Sequence, residues 1–368
     1  MDGKITVTES PRHLRAGDWV QVRTKEEILR TLDAKGRLDE LPFMPEMLRY
    51  CGKIMRVGKR AHKTCDPALG IGGRKMESTV HLENIRCDGS AHDGCEAGCL
   101  IFWKEAWLRR VEEQASSGNK ADSGAQNPST SQVSTNEVEP GQCTEDTLTS
   151  NVRIPSTAGD SAPTYMCQNT QIKFATQPLS AWDVRQYIED YTSGNVRLSQ
   201  LAAGLLYFLW RTGAEAGLGI GTAMRWIYDV FQRAIGGSPY PLRPFGVPKG
   251  VETPRATLDL QQGELVRVKP FPEILKTLDS RYRNRGLYFD PEMVPFTERQ
   301  YQVGCRITQI IDEKTGKMLR IKTDAIILKD VACEARYAFC RRFCPRAIYP
   351  YWREIWLERA SDGRGGKD

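Results

Sequence analysis

The 368-residue chain is poor in histidine: it has 4, all between positions 13 and 92. It also lacks a long apolar run. The greasiest stretch, LAAGLLYFLW at 201–210, would rise only about 15 Å as a helix, half of a bilayer core. It reads as a buried helix ended by Arg211 rather than as a membrane span. The opening MDGKITVTESPRHL has no apolar core of the kind a secretory signal needs, so a cytoplasmic protein with reduced thiols is expected. Nucleophile-elbow, HExxH, kinase and dinucleotide signatures are missing, as is the C-x-x-C-H of covalent haem attachment. GIGGRK at 70–75 lacks the spacing of a phosphate loop, and no strand precedes GLGIG at 217–221.

What is present is cysteine: 11 residues, too few for a disulfide-stapled scaffold and many for an ordinary intracellular domain. Apolar residues are 40% and charged residues 27%, which excludes a wholly disordered chain. Charge is uneven. Residues 1–110 carry +4, 111–176 carry −5 and 263–368 carry +6, within a net +6. Basic ends permit contact with nucleic acid or a phosphorylated ligand without requiring it, and a solvated surface of mixed charge is the simpler account.

An internal repeat organises the chain. GDWVQVRTKEEILRTLD at 17–33 matches GELVRVKPFPEILKTLD at 263–279 at an offset of 246, and FMPEM at 43–47 matches FDPEM at 289–293. Gly52 is paired with Gly304 by assuming a six-residue insertion in the second copy, and WKEAWL at 103–108 meets WREIWL at 352–357. Between the copies, 114–176 is rich in small polar residues and reads as a disordered linker, with Cys143 and Cys167 as incidental free thiols. Helices are expected near 198–214 and 220–235, after a capped start at Ser180–Asp183 with Trp182, Val184, Tyr187, Ile188 and Tyr191 at helical spacing. The expected fold is α+β. Two small SH3-like β-barrel modules with inserted helices (1–113 and 251–368) flank the linker and a helical segment with a stiff connector (177–250).

The cysteines follow the repeat. Cys87, Cys95 and Cys99 (C-x7-C-x3-C) answer to Cys333, Cys340 and Cys344 (C-x6-C-x3-C), with Cys51 and Cys305 beside the paired glycines. Four thiols per module suit a closed tetrahedral zinc site or, alternatively, an iron–sulfur cluster. Buried structural thiols and disulfides remain open as readings, because the spacing matches neither a C-x2-C zinc pair nor a ferredoxin run. In the first module Cys65, His62, His81 and His92 compete with Cys51 for the fourth position. The second module has no histidine, so HKTCD at 62–66 with HLENIRCDGSAHDGC at 81–95 is the best enzyme candidate. Trp103, Trp107, Trp352 and Trp356 read as core rather than base-stacking residues, and Arg341, Arg342 and Arg346 as a solvated face.

The blocks HLENIRCDGSAHDGCEAGCLIFWKEAWL and FCPRAIYPYWREIWLER resemble an uncharacterised bacterial family. Its members place two cysteine-bearing modules around a variable middle, often near genes for polysaccharide or specialised-metabolite assembly. The resemblance implies an accessory or binding protein of a biosynthetic pathway, with a protein partner or a small-molecule or glycan component. The alternatives are a metalloenzyme working through the first module and a nucleic-acid-binding protein.

Overall fold

The computed structural model describes residues 6–8, 13–66, 72–112, 143–155, 162–217, 219–243, 247–248, 250–337 and 341–360. The repeat is a repeat of structure. In the first copy, antiparallel strands run in the order Thr6–Thr8, Leu108–Glu112, Trp19–Val22, Ile54–Arg60, Thr79–Leu82, Trp103–Lys104. The second copy repeats the centre of that order with Leu357–Arg359, Leu265–Val268, Gln300–Arg306 and Ile326–Leu328. A one-turn helix follows the first strand of each copy, Lys25–Leu29 and Phe271–Leu275. Thr24 and Glu27 form the expected capping box on the former.

Alternating valines turn inward: Val20, Val22, Val266 and Val268 are fully buried. Each core is closed by a pair of tryptophans around a phenylalanine. Phe43 packs edge-on against Trp103 and Trp107, and Phe289 against Trp352 and Trp356. Trp107 Nε1 donates to Thr31 Oγ1 and Trp356 Nε1 to Thr277 Oγ1, so even the core hydrogen bond is repeated.

The molecule is α+β with small antiparallel sheets, and no sheet closes into a barrel among the described residues. The expected SH3-like closure is not seen among them: where closing strands would be needed, the chain forms the cysteine loop, between Thr79–Leu82 and Trp103–Lys104 in the first copy and between Ile326–Leu328 and Leu357–Arg359 in the second. The pairing of Gly52 with Gly304 is also corrected. The bulge at Val57/Lys59 matches the bulge at Val303/Cys305, so the offset of 246 continues without insertion and Gly58 is the partner of Gly304. Cys305 then answers to Lys59, and Cys51 to Thr297. Those last two residues follow equivalent 3-10 helices, Pro45–Tyr50 and Pro291–Phe296.

Part of the expected disordered linker is structured. Helix Glu145–Val152 places Leu148 and Val152 in the first core, and helix Gln168–Ala175 adds Ile172. Gln168 is fastened from both ends of its amide: it accepts from Phe102 N at 2.8 Å and donates to Phe102 O at 2.8 Å and Pro42 O at 3.1 Å. Strand Gln177–Leu179 extends the hairpin Lys63–Cys65/Gly73–Lys75. Composition misleads here because a few apolar side chains suffice when a preformed groove receives them. Residues 113–142 lie outside the described residues.

Helices Leu198–Glu215 and Gly221–Ala234 fall where periodicity places them. The buried-helix expectation for 201–210 is overturned: Leu206 and Leu209 are 67% and 66% exposed. On the second helix Trp226, Ile227, Val230 and Phe231 are exposed, and so are Trp182, Val184, Ile188 and Tyr191 of the stripe before them. No described helix is long and apolar enough to cross a membrane.

The middle is pinned to the first copy by charge. Fully buried Asp190 takes Lys63 Nζ at 2.5 Å, with His62 Nε2 3.3 Å away, and Arg60 pairs with Glu189 at 2.7 Å. Truncating one partner of a buried pair leaves an uncompensated charge. Asp190→Ala is therefore expected to lower stability by about 3–5 kcal/mol in urea unfolding; a change below about 1 kcal/mol would show that Lys63 is otherwise accommodated.

Each copy also extends a two-stranded hairpin onto the other copy's cysteine loop. These are Lys63–Cys65/Gly73–Lys75 and Gln309–Ile311/Met318–Arg320. The second lies on the first copy's loop: Glu96 N donates to Gln309 O at 3.1 Å and Ile311 N to Cys95 Sγ at 3.4 Å. The first lies on the second copy's loop, where Arg346 Nη1 donates to Cys65 O at 2.9 Å.

Candidate metal centre

Three side chains converge beneath the first cysteine loop. Glu46, Cys87 and His92 each offer a ligand atom, all within 4.8 Å of one another, and together they could hold a metal ion. Glu46 comes from the 3-10 helix opened by Pro45, whose fixed φ suits a first helical position. Cys87 follows the bridge Arg86↔Leu100 and donates its N–H to Cys99 O at 2.8 Å. His92 sits on a tight turn in which Asp88 Oδ1 accepts from Ser90 N and His92 N donates to Gly89 O. Gly89 has φ of +72°, and a Cβ there would lie 2.0 Å from Cys95 O, so only glycine fits.

The Cys87 thiol donates to Glu46 Oε1 at 3.1 Å, and His92 Nδ1 stands 3.7 Å from the same oxygen. Glu46 Oε2 and both ring nitrogens of His92 are buried without a hydrogen-bond partner. Unpaired polar atoms of this kind call for an explanation, an ion or a water being the usual one. The equivalent acid of the second copy, Glu292, shows the contrast: its carboxylate accepts from Arg336 N at 2.7 Å and Tyr337 N at 2.6 Å. Burial and then the Glu46 carboxylate push the Cys87 thiol well up. Burial lowers His92 despite the opposing Glu46 charge. Both shifts favour the neutral forms, and a divalent cation reverses the preference for the thiol by binding its thiolate.

A cavity of about 40 Å³ adjoins these atoms, space for a small ion and about one water. Cys95, Cys99, Cys167 and Ile311 also line it. Burial pushes Cys99 up and Cys167 to about 11. Asn169 Nδ2 donates to Cys99 Sγ at 2.7 Å. A glutamate, an imidazole and up to four thiols are donors that zinc accepts, so the residues fit such an ion.

Of the residues expected here, Cys87, His92, Cys95 and Cys99 come together. Others do not. His81 is buried elsewhere, its Nδ1 donating to Ile101 O at 2.9 Å, and is pushed down to about 3 by burial. His62 belongs to the Asp190 network. Cys65 leaves the first copy altogether and packs with Cys344, Cys333 and Ala335. Cys51 and Cys305 line neither cluster: Cys51 packs on the first core, and Cys305 among Ile307, Ala325 and Ile327. Four equivalent thiols per module do not come together; in the first module Cys87 instead joins Glu46 and His92. Cys340 lies outside the described residues.

Two contributors escaped the sequence. Glu46 was visible only as a glutamate kept in FMPEM and FDPEM amid apolar neighbours. Cys167 had no signal beyond being a cysteine in a polar segment, and the expectation that it is incidental is corrected by its place on the cavity wall. Comparison with protein-family models and with curated proteins gives no match.

Proposed function

We propose that the chain is a metal-stabilised, two-copy accessory or binding protein, with zinc at Glu46, Cys87 and His92 and a protein partner on the exposed helical face. The pathway setting, biosynthesis of a polysaccharide or specialised metabolite, is the one the family resemblance implies. The observation that carries the reading is the convergence of Glu46, Cys87 and His92, whose ligand atoms all lie within 4.8 Å of one another. A metal held there ties the 3-10 helix at Pro45–Tyr50 to the cysteine loop, which supplies folding energy to a copy with an open sheet. Binding then falls to the apolar side chains of Leu198–Glu215 and Gly221–Ala234, which the described residues leave exposed.

A metalloenzyme is the second reading. It draws on the group having three close donors, as catalytic zinc sites do when the fourth position holds water. Metal analysis and cobalt(II) substitution of the anaerobically purified protein separate the two. Colourless zinc, with a cobalt spectrum that added small anions leave unchanged, supports the structural reading. A one-thiolate spectrum that responds to added small anions supports the open site, and visible bands in the untreated protein indicate iron–sulfur. A folded protein with no bound metal would overturn both.

A further inference from the structure

The first strands of the two hairpins are related by the offset of 246, and their paired second strands by 245. Cys65, the last residue of its strand, answers to Ile311, the last residue of the other. Ile311 stands over the first copy's site with its N–H on Cys95 Sγ. The second copy's loop has the same backbone frame. Cys333 N donates to Ile348 O at 2.8 Å as Cys87 N does to Cys99 O, so Cys344 precedes its pairing residue by four positions, as Cys95 does. The exchange therefore brings Cys65 to Cys344 as it brings Ile311 to Cys95, with a thiol where the other hairpin carries a methyl.

The contacts follow this relation. Cys65 and Cys344 are 3% and 6% exposed and form one buried cluster with Ala335, and Cys333 and Ile348 pack against it. The Cys65 and Cys344 thiols hydrogen-bond to each other. All three cysteines are free. Arg346, itself 3% exposed, fixes the geometry from below: Nη1 donates to Cys65 O at 2.9 Å and Nη2 pairs with Glu313 at 2.6 Å. Arg86 adds a strap across the same seam, donating to Gly98 O at 2.8 Å and Ala347 O at 2.9 Å. Buried guanidiniums beside sulfur lower the energy of thiolates, the form a metal needs.

We propose that Cys65, Cys333 and Cys344 bind a second soft divalent metal, zinc by its preference for thiolates, at the seam between the two copies. Thiol protons leave as the metal–sulfur bonds form, and nothing is oxidised. The site goes beyond the reading above: it shares no residue with the Glu46 group, and it would make metal a clamp between the copies rather than a support within one.

The test is zinc content of the full chain after purification without chelator, for wild type and for Cys65→Ser, Cys344→Ser and Cys87→Ser. The wild type is expected to hold two equivalents, and each variant one. Cys65→Ser and Cys344→Ser together should still lose only one, which separates this site from the first. Cys305→Ser, outside both clusters, is the control and should keep both. Because a variant may unfold, wild-type thiols are also alkylated under native conditions. Cys65 and Cys344 should become reactive on chelation of zinc and be protected again when zinc alone is restored. Two outcomes overturn the proposal: Cys65→Ser with undiminished zinc, or a non-reduced Cys65–Cys344 peptide two hydrogens lighter than its thiols in protein from which no metal can be removed.

Discussion

Cys87→Ser is expected to remove zinc from the first site and to lower stability by on the order of 3 kcal/mol or more. The magnitude is diagnostic. A serine for a buried thiol that merely packs changes little volume and retains a donor for Glu46, so without a metal the loss should stay near 1 kcal/mol. With a metal, the variant forfeits a thiolate ligand and leaves Glu46 and His92 facing each other, with Glu46 Oε2 buried and without a hydrogen-bond partner. Urea unfolding with and without a chelator reads the difference. Wild-type stability should fall more than the variant's when the chelator is added, because the variant has already lost the metal of the first site. Equal sensitivity of the two proteins would move the metal away from Cys87. Glu46→Gln, which keeps shape but loses charge, should weaken the site without abolishing it, since one carbonyl oxygen remains as a donor.

The outline of these results was legible in the sequence because repeats are read by identity at fixed spacing. The offset of 246 found from DWVQVR and EIL holds in the first three strands the copies share, in the bulge and at Cys87/Cys333, and becomes 249 at the closing strands Leu108–Glu112 and Leu357–Arg359. The pairing went wrong where an identical residue offered a tempting partner: Gly52 was matched to Gly304, although the glycine at the bulge is Gly58. Matching cysteine cadence misled in the same way, since Cys344 occupies the place of Cys95 rather than of Cys99. Glu46 was hidden because a single glutamate carries no periodic signal, and its burial depends on Pro45 and on what the loop at 87–92 places above it. The exchange of hairpins is invisible to any local window, because the partners of Cys65 and Ile311 lie more than 200 residues away. The helices at 198–215 and 221–234 show the opposite limit. Apolar periodicity locates them and says nothing of whether the chain's own residues cover the face.

Glu354→Ala is expected to lower the stability of the second copy by about 3–5 kcal/mol, for reasons the repeat makes testable. The Glu354 side chain is fully buried. It accepts from Leu258 N at 2.6 Å, Asp259 N at 3.1 Å, Leu260 N at 3.0 Å and Arg306 Nη2 at 2.5 Å. One carboxylate thus orders the strand entry and balances a cation. Its counterpart Glu105 does the same for Leu14 N at 3.0 Å and Arg60 Nη1 at 2.6 Å, with a more exposed side chain and a single backbone donor. Glu105→Ala should therefore cost less than Glu354→Ala. Burial alone would raise the Glu354 carboxyl, but the backbone donors and Arg306 outweigh it, and the net shift is downward. A group held below its unfolded value stabilises the fold above that value, about 4.5, and loses the contribution as pH falls through the folded value. The gap in urea midpoint between wild type and Glu354→Gln should accordingly be widest near neutral pH and close as the medium is acidified. A gap that stays constant from neutrality to strong acid would mean that the carboxylate charge is not what holds Leu258–Leu260 in place, and that shape alone suffices there.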